Sequence, residues 1–419
     1  MLSLLTVNGR PITLERVVSY GKYRLKKLVP NLSFLFSIFD YIIPKRNDYW
    51  ILPVYFIGKG DFSDSNLAIF EIIKNDPKII KIILTRESKV AIDGINTIVI
   101  PMNSLKAVWY LMRSKIIFIQ HSIWLDLAKA KFQIYYQGKR EIIQLWHGIP
   151  IKDISHQNTG IINKRSLKEM SNYHVTCYSE TDKKNMQKAF YKVDKDNFWI
   201  TGAPRNDFLL MKEEKLPDLY QFGLKHLRKL LSGRKLILYA PTYRETTVKG
   251  THYNFSEDEL DRIEEFLLQN DCVLGLRYHI YRKPDFYKNF LQRKNIIDLD
   301  AEVISDVRLI IRESKIVISD YSSVFVESLY LDKRCISFAY DYKSYFETQR
   351  GFFYDFESIF PGDISYNFDE LMEAISNANK PYTAKQQDKI KIIKSTLFKY
   401  IDDNNSQRVV NKVKELVFE

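Results

Sequence analysis

At 419 residues, 45% hydrophobic and 27% charged, the chain has the length for two domains that each bury a core, which excludes a protein dominated by disorder. Its formal net charge of +12 admits anionic partners, but it has no zinc-finger spacing, recognition-helix signature or RNP-like aromatic pattern, so nucleic acid is not expected. Cys177, Cys272 and Cys335 lie far apart, form no CxxC pair and make no metal-ligand spacing, which fits a reducing cytosol and buried strand positions.

The N-terminus, Met1-Leu-Ser-Leu-Leu, lacks the basic region and small-residue cleavage site of a signal peptide, so the chain is expected to stay in the cytoplasm. The longest apolar stretch, Leu32–Ile43, is interrupted by Asp40 and is too short for the roughly 20 residues of a membrane-spanning helix. Arg24, Lys26 and Lys27 precede it and Lys45 and Arg46 follow. That flanking suits an interfacial segment on anionic lipid, and equally a buried helix with solvated ends.

Short β-branched runs then alternate with charged helical stretches. The first series is Trp50–Ile57, Ile79–Leu84, Thr97–Ile100, Ile116–Ile119, Glu141–Trp146, Tyr173–Cys177 and Phe198–Ile200. A second follows at Lys235–Tyr239, Val273–Leu276, Asn295–Leu299, Ile316–Ile318 and Cys335–Phe338. Strands this apolar, alternating with helices, predict two α/β domains in series, each a doubly wound parallel sheet covered on both faces. The break falls between Asp207 and Arg234, giving domains at 1–215 and 216–380. The tail, 381–419, repeats Ile390, Ile393, Leu397, Tyr400 and Ile401 at helical spacing and is expected to pack back on the first domain.

Candidate chemistry collects at predicted strand ends, where open α/β sheets bind ligands. His147 lies in Gln144-Leu-Trp-His-Gly-Ile-Pro-Ile-Lys152, where Gly148 allows close backbone approach; a neutral imidazole there suits removal of a proton from an alcohol. A satisfied core histidine is the alternative. Gly202-Ala-Pro-Arg-Asn-Asp207 reads as a turn joining the domains. Leu238-Tyr-Ala-Pro-Thr-Tyr-Arg-Glu245 aims Thr242 and Arg244 at a cleft, where a guanidinium clamps phosphoryl oxygens. Arg277 and His279 form a pair of donors suited to a phosphate or leaving group. His121 shares the strand-end position without further support, and His174 reads as strand interior. Asp298-Leu-Asp300 has the form of a metal-binding DxD but no second carboxylate cluster, so it reads as structural, and no cofactor or metal is assigned. Lys315-Ile-Val-Ile-Ser-Asp-Tyr-Ser-Ser-Val-Phe-Val-Glu327 places Ser322 and Ser323 at a helix start, favourable for phosphate, with Glu327 one turn on and able to accept from ribose hydroxyls. A capped helix with a solvent-facing Glu327 is the bland alternative.

In order, these segments resemble the CDP-glycerol glycerophosphotransferase family, whose members make or prime teichoic acids and related capsule polymers. Leu145-Trp-His-Gly-Ile-Pro-Ile-Lys152 is similar to the family's WHG-x-P-x-K, 202–207 to its G-x-PRND, 239–244 to its YAPT-x-R, and 319–323 running on to Arg350-Gly-Phe352 to its DYSS-to-RGF stretch. The chain departs at Ile149, where Thr is common, and at Glu327, where Asp is common. The resemblance covers roughly Pro44 to Ala374 and implies a GT-B architecture, two Rossmann-like domains facing a cleft. It implies His147 as general base and His279 assisting at the diphosphate, with Arg205, Asn206, Thr242, Arg244, Arg277, Ser322, Ser323 and Glu327 on the donor and Gly148 and Lys152 on the acceptor side.

The expected reaction is attack of an acceptor hydroxyl, deprotonated by His147, on the β-phosphorus of CDP-glycerol or CDP-ribitol, with CMP leaving. The acceptor would be a lipid-linked polymer, and the protein would sit peripherally on the anionic inner face of the cell membrane. Two other readings are a GT-B glycosyltransferase using a nucleotide sugar, such as a capsule sialyltransferase, and a non-catalytic membrane-associated assembly module.

Overall fold

A computed structural model of the chain describes residues 6–7, 10–11, 38–54, 62–86, 92–127, 130, 139–155, 172–242, 252–278, 287–348 and 351–418. The first sheet has seven strands: β1 (Arg46–Pro53), β2 (Ile80–Thr85), β3 (Thr97–Pro101), β4 (Ser114–Ile119), β5 (Glu141–Gln144), β6 (Tyr173–Cys177) and β7 (Phe198–Ile200). Their spatial order is β3-β2-β1-β4-β5-β6-β7, and every neighbouring pair is parallel. The second sheet repeats the plan with six strands: β8 (Lys235–Tyr239), β9 (Cys272–Leu276), β10 (Ile296–Asp298), β11 (Ser314–Ser319), β12 (Arg334–Phe338) and β13 (Asp363–Ser365). Its order is β10-β9-β8-β11-β12-β13, again all parallel. The β-branched runs form strands because both faces are covered: Ile51, Ile82, Ile83, Ile116, Ile117, Ile142 and Ile143 are fully buried.

Chain order reverses between β1 and β4 in the first sheet and between β8 and β11 in the second. Those two switch points open the crevices in which such sheets bind ligands. Strand limits differ from the sequence reading at both ends of the first sheet's core. β1 begins four residues early, at Arg46, and β5 stops at Gln144 because Trp146 takes a left-handed backbone (φ 53°). The short edge strand β13 had no apolar run to announce it.

Helix α1 (Asp64–Ile73) covers the first sheet, α2 (Leu105–Arg113) precedes β4, and α3 (Glu180–Ala189) follows β6. Between the sheets, residues 213–215 make a single tight turn and α4 (Asp218–Leu231) buries Tyr220, Leu224, Leu227 and Leu231. Helix α5 (Glu257–Gln269) precedes β9, α6 (Val307–Glu313) precedes β11, and α7 (Val324–Tyr330) follows it. After α8 (Phe368–Asn377), α9 (Ala384–Leu397) docks by a Ser179 hydroxyl bond to the Thr396 carbonyl (2.7 Å). The last helix, α10 (Asn405–Phe418), returns to the first sheet: Val409, Val410, Val413 and Val417 are buried, Asn47 Nδ2 donates to the Val417 carbonyl (2.7 Å), and Lys414 pairs with Asp76 (2.7 Å). One apolar cluster runs from Trp50 and Ile69 through Tyr220 and Phe325 to Val413. The two sheets therefore share a continuous core.

Candidate active site

His147 is placed by the loops that leave β4 and β5, whose ends lie in register, Ile119 opposite Gln144. Leu145 N–H donates to the Ile119 carbonyl (2.8 Å), and Gln144 cross-links the loops, donating to the His121 carbonyl (2.6 Å) and accepting from Trp146 N–H (3.0 Å). The left-handed Trp146 and Gly148 (φ 134°) then turn the half-buried His147 ring against Trp146 and His121, each with ring centroids 4.4 Å away. Nδ1 of His147 lies 3.0 Å from the Gln120 carbonyl. A carbonyl only accepts, so Nδ1 carries the proton and Nε2 keeps its lone pair. Burial, then the neighbouring His121, pushes the pKa of His147 down to about 3, and the ring is neutral at physiological pH.

Behind His147 lies a buried ion cluster assembled from both sheets. Arg205 Nη1 donates to the His147 carbonyl (2.5 Å) and pairs with Asp64 (3.3 Å). Its Nε sits 2.9 Å from Glu327, at ion-pair distance though not aligned for a hydrogen bond. Arg308 on α6 pairs with Asp64 (3.1 Å) and Asp306 (2.5 Å), and Asp306 also accepts from the Tyr220 hydroxyl. Burial alone would raise the carboxyl of Asp64, but Arg205 and Arg308 outweigh it and hold Asp64 well below the usual range. Glu327 is pushed up by burial, against the pull of the same two guanidiniums. Asp64 adopts φ 65°, an uncommon backbone for a non-glycine, so the cluster over-determines its own geometry.

The turn 202–207 is the hub of this arrangement. Gly202 (φ 74°) has no room for a Cβ, which would overlap the Asn405 side chain. Asp207 receives the backbone N–H groups of Asn405 and Ser406 (2.9 and 2.8 Å), fixing the start of α10. Asn206 is fully buried, and among the described residues neither of its side-chain polar atoms has a partner.

The facing wall comes from the second switch point. Asp320 accepts from the backbone N–H of Thr242 (2.7 Å) and of Tyr321 (2.7 Å), and the Ser319 hydroxyl donates to the Ala240 carbonyl (2.7 Å). These bonds fix the ends of β8 and β11 side by side. Among the described residues the buried Thr242 hydroxyl has no partner. Ser322 and Ser323 are half-buried, Ser323 makes no side-chain cap on α7, and a Cβ at Gly148 would stand 3.7 Å from the Ser323 hydroxyl. The loop that carries His147 and the one that carries Ser322 and Ser323 thus meet across one cleft. The segment after His147 continues into the second half of the molecule: Lys152 bridges Phe352, Asp153 N–H donates to the Gly351 carbonyl (2.6 Å) and Phe353 N–H to the Ile151 carbonyl (2.9 Å).

Of the residues singled out from sequence, His147, Gly148, Arg205, Ser322, Ser323 and Glu327 come together, with Thr242 joined to the serine loop through Asp320. Glu327 is engaged with Arg205, in place of facing solvent, and Arg277 donates to the carbonyls of Leu299 (2.8 Å), Ile304 (2.5 Å) and Ser305 (3.1 Å), which buries the charge and brings its pKa down to about 10. Arg244, His279 and Arg350 lie outside the described residues. Asp298 and Asp300 accept local backbone N–H groups, from Asp300 (3.0 Å) and from Glu302 (2.8 Å) respectively. His174 bonds Glu141 (2.8 Å) and stacks on Trp199 (4.5 Å). Asp64, Gln120, Asp126 and Arg308 escaped the sequence reading. Each is an ordinary polar residue in an ordinary helix or loop: Gln120 and Asp126 join the site through the packing of two neighbouring loops, Asp64 and Arg308 through the meeting of the two sheets.

Two doubly wound parallel sheets with a cleft between their switch points define the GT-B class of fold. The wall teichoic acid polymerase TagF has the same fold, with a TM-score of 0.72 at 22% identity over 96% of this chain and 96% of that one. A UDP-GlcNAc 2-epimerase from Methanocaldococcus jannaschii shares it more distantly, with a TM-score of 0.52 at 12% identity over 88% of this chain and 99% of that one. A model of the CDP-glycerol:poly(glycerophosphate) glycerophosphotransferase family matches residues 41–415, and the chain belongs to that family. It is 28% identical to the teichoic acid poly(glycerol phosphate) polymerase of Bacillus spizizenii over 94% of this chain and 98% of the relative. It is also 28% identical to the teichoic acid ribitol-phosphate polymerase TarK of Staphylococcus aureus, over 68% of this chain and 54% of TarK. The chain spans about half the length of TarK and of its neighbour TarL, of which the match covers 54% and 50%.

Proposed function

We propose that this protein transfers an alditol phosphate from a CDP-alditol to a hydroxyl of a polymer acceptor in teichoic acid synthesis. The observation that carries the reading is the tautomer of His147: Nδ1–H is tied to the Gln120 carbonyl and a neutral Nε2 keeps its lone pair, on a loop whose Gly148 lies beside the Ser323 hydroxyl. In the proposed step the acceptor oxygen attacks the β-phosphorus, its proton passes to Nε2 of His147, the phosphoanhydride bond breaks and CMP departs with the electron pair. Ser322, Ser323 and Thr242 supply donors to the phosphates and nucleotide. The relatives named for poly(glycerol phosphate) and poly(ribitol-phosphate) polymerisation, and a TagF variant soaked with CDPG, support a CDP-alditol as donor.

The test is CMP release by the purified chain offered CDP-glycerol, CDP-ribitol or CMP-sialic acid, each with a lipid-linked glycerol-phosphate acceptor and with a sialylated oligosaccharide. Acceptor-dependent release from one CDP-alditol, with a phosphoalditol mass increment, supports the reading and names the donor. Turnover only with CMP-sialic acid replaces it with glycosyl transfer.

We also propose peripheral docking on an anionic membrane face. No helix among the described residues is long and apolar enough to cross a bilayer. Residues 38–42 form a helical turn whose Ile38, Phe39, Tyr41 and Ile42 are exposed, while Asp40 is buried against Arg140 and Lys45. Lys45 therefore faces inward, and the cation beside the apolar group is Lys139, 4.2 Å from the Tyr41 ring. An exposed apolar group with a cation at its edge fits an interfacial anchor. Flotation with anionic liposomes should weaken with salt and be lost on exchanging Phe39 and Ile42 for Ser; flotation unaffected by both changes would overturn this docking mode.

A further inference from the structure

We infer that His121 is a second imidazole of this site, a positioning residue that fixes the ring plane of His147 by stacking and sets its charge. The inference deepens the reading of His147 as base, and its kinetic consequence rests on that reading.

The two rings leave adjacent parallel strands and lie nearly parallel, 16° apart with centroids separated by 4.4 Å. Each is held at Nδ1 by a different oxygen: His147 by the Gln120 carbonyl, His121 by the Asp126 carboxylate (3.3 Å). Asp126, almost fully buried, is itself fixed, because its other oxygen accepts the backbone N–H groups of Gln120 (2.7 Å) and His121 (2.9 Å). One short segment thereby orients both imidazoles: Gln120 through its carbonyl and His121 through its ring. The Gln144 bond to the His121 carbonyl closes the set onto the loop that carries His147. A histidine that only filled space would need no oriented carboxylate on its far nitrogen.

The electrostatic consequence follows from the stack. Two imidazolium rings at this separation would repel strongly, so His121 opposes protonation of His147, and the Asp126 carboxylate stands on the His121 side of the stack. Among the described residues the other charged groups that act on His147 are Arg205, from the 202–207 turn, which also opposes its protonation, and Asp64, from the start of α1, which favours it. Trp146 and Ser323 bring no charge. His121 thus keeps His147 in the form that accepts a proton, and holds the plane in which it does so.

The test uses the full chain with 13C-labelled histidine Cε1, the His147 resonance being assigned by its loss in His147→Gln. Wild type is compared with His121→Phe, which keeps a ring in the stack, and His121→Gln, which removes it; thermal melts establish that each variant is folded. From pH 8 down to the acid limit of the fold, His147 should titrate about one pH unit higher in both variants than in wild type. The acid limb of kcat/KM with a CDP-alditol should move the same way, whereas a purely structural role would lower the rate without moving the limb. An identical His147 resonance in wild type and both folded variants across the range would overturn the inference. A shifted titration without CMP release from any CDP-alditol would sustain it and defeat the transferase reading instead.

Discussion

The two walls of the cleft are built on the same sheet plan but use their hydrogen-bonding capacity in opposite ways. Around His147 the polar groups of Gln120, His121, Asp126, Gln144, Trp146 and Arg205 bond to one another or to the histidine, with Asn206 in the hub turn the exception. On the facing wall the backbone is fixed by Asp320 and Ser319, while among the described residues the Thr242 hydroxyl has no partner and Ser323 does not cap its helix. Closure suits a base whose tautomer and plane must be set before the substrate arrives. Unused donors suit a wall that is completed by a ligand.

The largest expected effect tests the closed wall. His147→Ala should lower turnover by about 10²- to 10⁴-fold, while CDP-alditol binding by calorimetry is largely kept. Normal turnover would remove the base assignment. Next comes the buried cluster that joins the walls. Arg308→Met leaves Asp64 and Asp306 without their shared partner and should destabilise the fold by about 3–5 kcal/mol in urea unfolding. A loss below about 1 kcal/mol would mean that the cluster is solvated and does not tie the two sheets together.

A third measurement concerns an exception on the first wall. Asp182 on α3 accepts from Tyr178 N–H (2.9 Å) through one oxygen, but among the described residues its other oxygen is buried without a partner. Burial raises this carboxyl from 3.8 to about 7, with the Tyr178 N–H opposing the shift. A raised carboxyl binds a proton more tightly folded than unfolded, so its contribution is fully present below about pH 4 and is lost as pH rises through about 7. Asp182→Asn should remove that dependence, and thermal melts from pH 5 to pH 8 should show the variant gaining on wild type to about 1–3 kcal/mol at pH 8. A difference independent of pH would show that Asp182 is ionised throughout.

The fold was legible because its signals are local. β-branched runs between charged helical stretches sufficed for two parallel sheets, and the strand-end position of His147 followed from Leu145-Trp-His-Gly without any knowledge of its neighbours. What stayed hidden is relational. Nothing in the residues around Arg308 or Asp64 distinguishes them from surface ions until α6 meets α1 across the interface, and Glu327 has the same helical spacing whether it faces a ribose or Arg205. Arg277 illustrates the converse: an arginine at a strand end looks poised for phosphate, yet three backbone carbonyls turn it inward. Side-chain partners decide such cases, and no local pattern encodes them.

The smallest effect sharpens the comparison most, because its two readouts have opposite signs. Thr242 is buried and its hydroxyl has no partner among the described residues, so the protein bears the desolvation cost of that group. Thr242→Val keeps the shape and deletes the hydroxyl, and should leave stability unchanged or raise it by up to about 1 kcal/mol. If the facing wall is completed by the donor, the same change should weaken CDP-alditol binding by about tenfold, the value of one neutral hydrogen bond inside a site. A hydroxyl that merely packed would give the stability gain with unaltered affinity. A hydroxyl already satisfied inside the protein would give a stability loss with unaltered affinity, and in either case the wall would be as closed as the one that carries His147.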